Sequence, residues 1–399
     1  MRLGLVIYGA LETVSGGYLY DRQLVAQLRQ AGDQVEVISL PWRGYGQHLA
    51  DNVAGGLRRR LSAGGWDVLL QDELNHPSLF ALNRWLRPRV RYPIVSIVHH
   101  LRCSEARPAW QNAAYRLVER AYLRGLDGFI FNSQTTRRVV TGLLASAAGA
   151  RQPAAVVAYP AADHRGPPLD PARIDARLGQ PGPLRVLFLG NVIARKGLHV
   201  LLEALTQVDG DWRLNVVGDL AVEPAYARAI QAQIRRLRLS ERVRLLGRLD
   251  DAAVRGHLES HHLLAVPSAY EGFGIVFLEA LACGLPVLAT TAGAAPELLT
   301  DGVDGRLVPP ADAGALAAAL RPLLADRERL RALSHAARVR YGRHPTWAES
   351  MLPVRAFLQA QAAAAGSQNA IYHGEPQAAM TGLGAIKPVT QDPFARLGG

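Results

Sequence analysis

The chain is poor in lysine, cysteine and aromatic side chains. Of its 45 basic residues only Lys196 and Lys387 are lysines, and the near-total use of arginine reads as a bias of coding composition that says nothing about partners. Two cysteines in 399 residues, Cys103 and Cys283, exclude a disulfide framework and lack metal-ligand spacing, so a reducing, cytoplasmic setting is expected. Cys283 reads as a small core residue, and Cys103 has no activating context. Aromatics make up 7%, which argues against nucleic acid despite a formal charge of +11. Arginines are scattered along polar helix faces such as AIQAQIRRLRLSERVRL, with no stacking platform interleaved among them. A solvated basic surface that tolerates anionic substrates or an anionic membrane fits better. No run approaches the roughly 18 apolar residues of a membrane span, so any membrane contact is expected to be peripheral, at the inner face. The opening MRLGLVIYGALETVSGG reads as a first β-strand rather than a signal peptide.

What is present is a strict alternation of short apolar runs and helix-length patterns. The runs fall at 2–9, 34–40, 66–71, 93–100, 127–133 and 154–160, then at 184–190, 212–218, 242–247, 262–268, 285–290 and 305–310. Continuous apolar runs separated by helices predict parallel sheets covered on both faces. The Pro- and Gly-rich stretch 161–183 reads as a linker between two doubly wound α/β units facing across a cleft. The expected division is a first unit over 1–165 and a second over 184–344. A final helix over 345–365 would follow, and then a flexible tail over 366–399.

Two segments carry chemistry. GNVIARKG (190–197) follows a buried strand and opens a helix, so helix-end amides with Arg195 and Lys196 could hold a diphosphate; an ordinary solvated helix start is the alternative. In PSAYEGFGIVFLEALACGLPVLAT (267–290), Glu271 ends a glycine loop and Glu279 sits inside an apolar helix. A buried carboxylate there needs either an internal arginine or ligand hydroxyls. No G-x-G-x-x-G follows the first strand or the strand at 184–190, which argues against a nicotinamide oxidoreductase.

Glu, seven residues, Glu, then a Gly-Leu-Pro-Val strand start resembles the motif of family 4 retaining glycosyltransferases. These have the glycosyltransferase B fold of two Rossmann-like domains. The resemblance covers about residues 1–360, and its strong motifs lie in 184–310. It implies that Glu271 binds donor-sugar hydroxyls beside the amides of Gly272, Phe273 and Gly274, that Glu279 binds ribose, and that Arg195 and Lys196 bind the diphosphate. It further implies that Gly247, Arg248 and Leu249 lie by the base, and that Gly16 and Gly17 approach the diphosphate and acceptor, a plain turn being the alternative. His99 would contact the donor sugar; His100 stands where relatives often carry Asp, and a core or surface histidine pair is the alternative. Asp72, Glu73, Asn75 and His76 could contact acceptor or cap a helix, and Glu297 is expected to stabilise its own helix dipole.

The implied activity is transfer of a sugar from a nucleotide diphosphate sugar to a hydroxyl of a glycan, lipid-linked or small-molecule acceptor. The resemblance implies retention of configuration, no metal, no cofactor and no enzymic nucleophile. A phosphorylase- or epimerase-like enzyme, or a non-catalytic nucleotide-sugar-binding module, remains open at this point.

Overall fold

A computed structural model describes residues 1–145 and 153–373, with side chains through Ser367. Twelve strands form two parallel six-stranded sheets. The first holds β1 (Arg2–Tyr8), β2 (Gln34–Leu40), β3 (Val68–Asp72), β4 (Ile94–Val98), β5 (Gly128–Phe131) and β6 (Ala154–Val157), in the order β2-β1-β3-β4-β5-β6. The second holds β7 (Leu184–Leu189), β8 (Trp212–Val217), β9 (Val243–Gly247), β10 (Leu263–Val266), β11 (Val287–Thr290) and β12 (Gly305–Val308), in the order β12-β11-β10-β7-β8-β9. All twelve apolar runs are strands.

The pleat explains why these runs lack polar alternation. In β1, Leu3, Leu5 and Ile7 face the core shared with the helix Gly16–Gln30, while Val6 and Tyr8 face a second core on the opposite side of the sheet. A strand covered on both faces has no solvent side to make polar. Strand order reverses between β1 and β3 in the first sheet and between β7 and β10 in the second. Crevices open at such switch points, at the carboxyl ends of the strands. Gly16, Gly17, Asp72, Arg195, Lys196 and Glu271 lie at or after the ends of these four strands, while His99 follows β4 and Gly247, Arg248 and Leu249 lie at the end of β9.

Two expectations need correction. The stretch 161–183 is not bare linker: it holds the turn Asp163–Arg165 and the helix Pro171–Gly179. That helix buries Ile174 and Leu178, and its Arg177 donates to the carbonyls of Cys283 (3.0 Å) and Gly284 (2.6 Å). Asp170 caps it through the amide of Ala172 and Pro171 starts it, a signal that proline-rich composition obscured. The final helix runs Trp347–His373, past the expected end at 365, because the alanine-rich run QAAAA offers no stop signal. The rest of the expected tail, with Lys387, lies outside the described residues. The final helix returns to the first domain: Phe357 packs on Gly128, and Arg355 pairs with Asp33 at 2.7 Å.

Candidate active site

The loops after β7 and β10 are joined into one unit. Gly197 has φ +74°, and a Cβ there would lie 2.1 Å from the carbonyl oxygen of Pro267, so only glycine lets the two backbones meet. The amide of Ala269 donates to the Arg195 carbonyl (2.8 Å), and the Arg195 guanidinium donates to the Tyr270 carbonyl (2.8 Å). Lys196 Nζ thereby meets Glu271 Oε2 at 2.5 Å, with Ser268 Oγ donating to the same oxygen at 3.2 Å. Both side chains are mostly buried, at 13% and 12% exposed. Burial pushes the ammonium below its ordinary value against the pull of Glu271, and Arg195 pushes it further. Burial would raise Glu271, yet Lys196 and Arg195 outweigh it and hold the carboxyl below its ordinary value.

The helix start at 197 does not offer the free amides expected of it. The amides of Lys196 and Gly197 bond within their own turn, to Ile193 and Ala194, and that of His199 donates to the Tyr226 hydroxyl oxygen at 3.2 Å. The positive charge of this loop therefore comes from its two cationic side chains, Arg195 and Lys196.

Glu279 is buried and finds an internal arginine. Oε1 accepts from Arg165 Nε (2.9 Å) and stands 3.1 Å from His164 Nε2, whereas Oε2 is buried with no partner. Gly247 ends β9 with its carbonyl accepting from Gly218 (2.9 Å); Arg248 is exposed and Leu249 half-buried beside it. Phe273 is buried against Tyr159, and Gly274, with φ +97°, precedes the helix Ile275–Ala282.

Across the cleft, Ser15 caps the helix Gly16–Gln30, which brings Gly16 toward Ile275 (3.7 Å from an added Cβ) and Gly17 toward the His99 ring (3.1 Å). Gly272 presses on the His99 carbonyl, 2.6 Å from where its Cβ would be. His99 is buried: its amide donates to Glu73 Oε2 (2.7 Å), and its Nε2 lies 3.3 Å from Asp21 Oδ1. Burial lowers its pKa, so the ring is neutral near pH 7. Asp72, Glu73, Asn75 and His76 are all buried; Asp72 accepts from the Leu74 amide (2.8 Å), which is the capping role, and His76 Nε2 meets the Tyr45 hydroxyl at 3.1 Å.

A family model described as glycosyl transferases group 1 matches residues 172–340. Phosphatidyl-myo-inositol mannosyltransferase of Mycobacterium leprae is 31% identical over 355 residues, spanning 81% of this chain and 87% of that protein. The chain belongs to the glycosyl transferases group 1 family. This glycosyltransferase also resembles two solved structures in fold. Sucrose-phosphate synthase from Thermosynechococcus elongatus superposes with a TM-score of 0.77 at 23% identity, covering 91% of this chain and 99% of that one. Anabaena HepE in complex with UDP and glucose superposes with a TM-score of 0.71 at 23% identity, covering 90% and 100%.

Three residues of the glycosyltransferase's site escaped sequence reasoning. Glu105 links the domains: it stands 2.9 Å from His100 Nε2, pairs with Arg107 and lies 3.9 Å from Arg195. Burial would raise its carboxyl, but His100, Arg195 and Arg107 bring it down to about 2. His100 thus serves an ion-pair cluster at the cleft. Arg165 and Asp21 are the other two, each a single polar letter whose partner is distant in sequence.

Glu297 does more than expected. It lies in the first turn of its own helix, Ala295–Leu298, as expected, and it also accepts the amides of Gln134 (2.9 Å) and Thr135 (2.5 Å) at the start of Gln134–Leu144 in the first domain. The single Asp-x-Asp spacing, Asp209-Gly210-Asp211, lies before β8, at the end of the sheet remote from the site, where exposed Asp211 pairs with Arg213. Among the described residues, no helix is long and apolar enough to cross a membrane.

Proposed function

We propose that this glycosyltransferase retains configuration, takes a nucleotide diphosphate sugar as donor and works without a metal. The observation that carries the reading is the Lys196–Glu271 pair, 2.5 Å apart and mostly buried at the β7/β10 switch point. As the glycosidic bond to the diphosphate breaks, negative charge grows on the phosphate oxygens and positive charge on the sugar. Lys196 and Arg195 stabilise the first, while Glu271 receives sugar hydroxyls. The unpartnered Glu279 Oε2 accepts a ribose hydroxyl, and the neutral His99 faces the sugar. Removing one such charge-stabilising group costs on the order of 10² to 10³ in rate.

The test is a thermal-shift panel of UDP, GDP, ADP and their sugar conjugates on the wild type and on Lys196→Ala. One nucleotide diphosphate raises the wild-type melting temperature, and the variant loses that response; a ligand bound to the native state alone at a hundredfold excess over Kd adds about 2.7 kcal/mol. Turnover of the same donor persists in EDTA. No response from a folded wild type to any nucleotide sinks the donor site as drawn.

The same proposal includes an acceptor presented at a cytoplasmic membrane face. On the helix Ala109–Leu123, Trp110 (71% exposed) and Leu117 (72%) lie two turns apart, with exposed Arg116 and Arg124 nearby. Aromatic and aliphatic side chains rimmed by cations suit an anionic interface. The name of the mannosyltransferase relative accords with a lipid-borne acceptor. Sedimentation with phosphatidylglycerol vesicles at low salt tests this part, and loss of binding in Trp110→Ala/Leu117→Ala is the expected result.

A further inference from the structure

We propose that Asp21 is a positioning residue that holds the His99 imidazole in its Nε2–H tautomer, and that Asp72 carries the proton which lets two buried carboxyls stand side by side. The functional part of this proposal rests on the reading of His99 as a sugar-facing group.

Asp21 and Asp72 are both fully buried. One oxygen of each and a ring nitrogen of His99 lie within 4.8 Å of one another. Asp21 Oδ1 faces His99 Nε2 at 3.3 Å, and Asp72 Oδ1 takes the Leu74 amide. Among the described residues, the remaining oxygens, Oδ2 of each, are buried without a hydrogen-bond partner. Two ionised carboxylates in this position would each meet desolvation and a like charge, so a single shared proton is the stable arrangement. Burial pushes both carboxyls up to about 7, with mutual repulsion adding to Asp72.

The proton belongs on Asp72. Asp21 is the carboxyl that faces the ring nitrogen, the Arg22 charge favours its anion, and that anion in turn pushes the neighbouring Asp72 toward its protonated form. An anionic Asp21 oxygen facing a neutral imidazole nitrogen requires that nitrogen to bear the hydrogen. His99 Nδ1, which makes no hydrogen bond among the described residues, is then a lone pair that accepts from a hydroxyl rather than donating to one.

The other groups around the cluster do not compete for this role. Glu73 already accepts the His99 amide and is pushed well up by burial and by Asp72. Tyr18 and Tyr20 are raised by burial and stay neutral. Arg22 is bonded to the carbonyls of Leu11 (2.8 Å) and Thr13 (2.9 Å). Gly17 and Gly272 pin the ring and backbone of His99 from either domain, so its orientation is fixed and the tautomer is what Asp21 sets.

The experiment is two-bond ¹H–¹⁵N correlation spectroscopy of the full chain labelled with ¹⁵N-histidine, with His99 assigned from the spectrum of His99→Gln. The wild type shows a neutral Nε2–H ring near pH 7. Asp72→Asn, whose amide donates where Asp72 places its proton, keeps that tautomer. Asp21→Asn, whose amide can itself donate to Nε2, shifts His99 to the Nδ1–H form or to exchange. It lowers donor turnover about tenfold and leaves nucleotide diphosphate binding intact.

An Nδ1–H ring in the wild type, or an unchanged tautomer in a folded Asp21→Asn, overturns the proposal. So does stoichiometric uptake of Zn²⁺ or Mn²⁺ by the EDTA-treated wild type that abolishes the His99 Nε2–H signal. A changed tautomer with unchanged turnover overturns its functional half. If the tautomers behave as stated but the wild type turns over no nucleotide sugar, the positioning role stands and the transfer reading fails. The wild-type tautomer alone can overturn the proposal even if Asp21→Asn does not fold.

Discussion

Lys196, Glu271 and Glu279 announce themselves in the sequence because each is chemically out of place: a lysine among arginines, a carboxylate closing a glycine loop, and a carboxylate in an apolar helix. Their partners do not. Arg165, which holds Glu279, lies 114 residues away, and Asp21, which faces His99, lies 78 away. Hydrogen bonds over such separations leave no local pattern, so only the more conspicuous member of each pair was legible. Glu279 is 2% exposed at its side chain, and removing Arg165 strands part of its charge. Arg165→Ala should therefore cost about 3 kcal/mol in urea unfolding, near the lower end for a broken buried pair because His164 remains. Adding Glu279→Gln to that variant should recover much of the loss; an additive double variant would show that the two side chains do not interact.

Elements place the residues more tightly than sequence suggested. The helix Gln134–Leu144 starts at Ser133, whose hydroxyl donates to the Gly272 carbonyl (3.1 Å), and its first amides are taken by Glu297 from the other domain. One helix N-terminus thus doubles as a fastener between domains. Glu297→Ala should leave each domain folded while weakening their contact, visible as a larger radius of gyration in small-angle scattering without ligand. An unchanged radius would assign the fastening to other contacts. Gly272→Ala puts a methyl against the His99 carbonyl and should lower transfer more than nucleotide binding, because the clash is between domains while the proposed donor-site cations Arg195 and Lys196 sit within one. The Ser133 cap is local, joining residues three apart. That a carboxylate 162 to 163 residues later completes it was not legible in the sequence.

At the scale of the molecule, the returning helix Trp347–His373 ties the ends of the fold together. Trp347, Met351, Val354 and Leu358 are buried, and burying each such side chain is worth about 1.5 to 3 kcal/mol. A chain ended at His344 should lose several kcal/mol of stability in the first domain, read as an earlier unfolding transition by calorimetry. The shared carboxyl proton gives a pH signature as well. Folded Asp72 keeps its proton up to about 7, whereas an unfolded Asp loses it near 3.8, so the folded state binds more protons in that window and its stability falls as pH rises through it. Asp72→Asn removes this titration: the melting temperature of wild type relative to the variant should decline from pH 4 to 7, and a constant difference would place the proton elsewhere. The sequence by itself determined the two parallel sheets, since twelve apolar runs spaced by helices permit little else, and it exposed the residues whose type conflicts with their surroundings. Tertiary structure alone decided which strands reverse order, which glycines let the domains touch, and which distant polar residue answers each buried charge. Burial creates those requirements only after the chain has folded, and they can be met from any point along it.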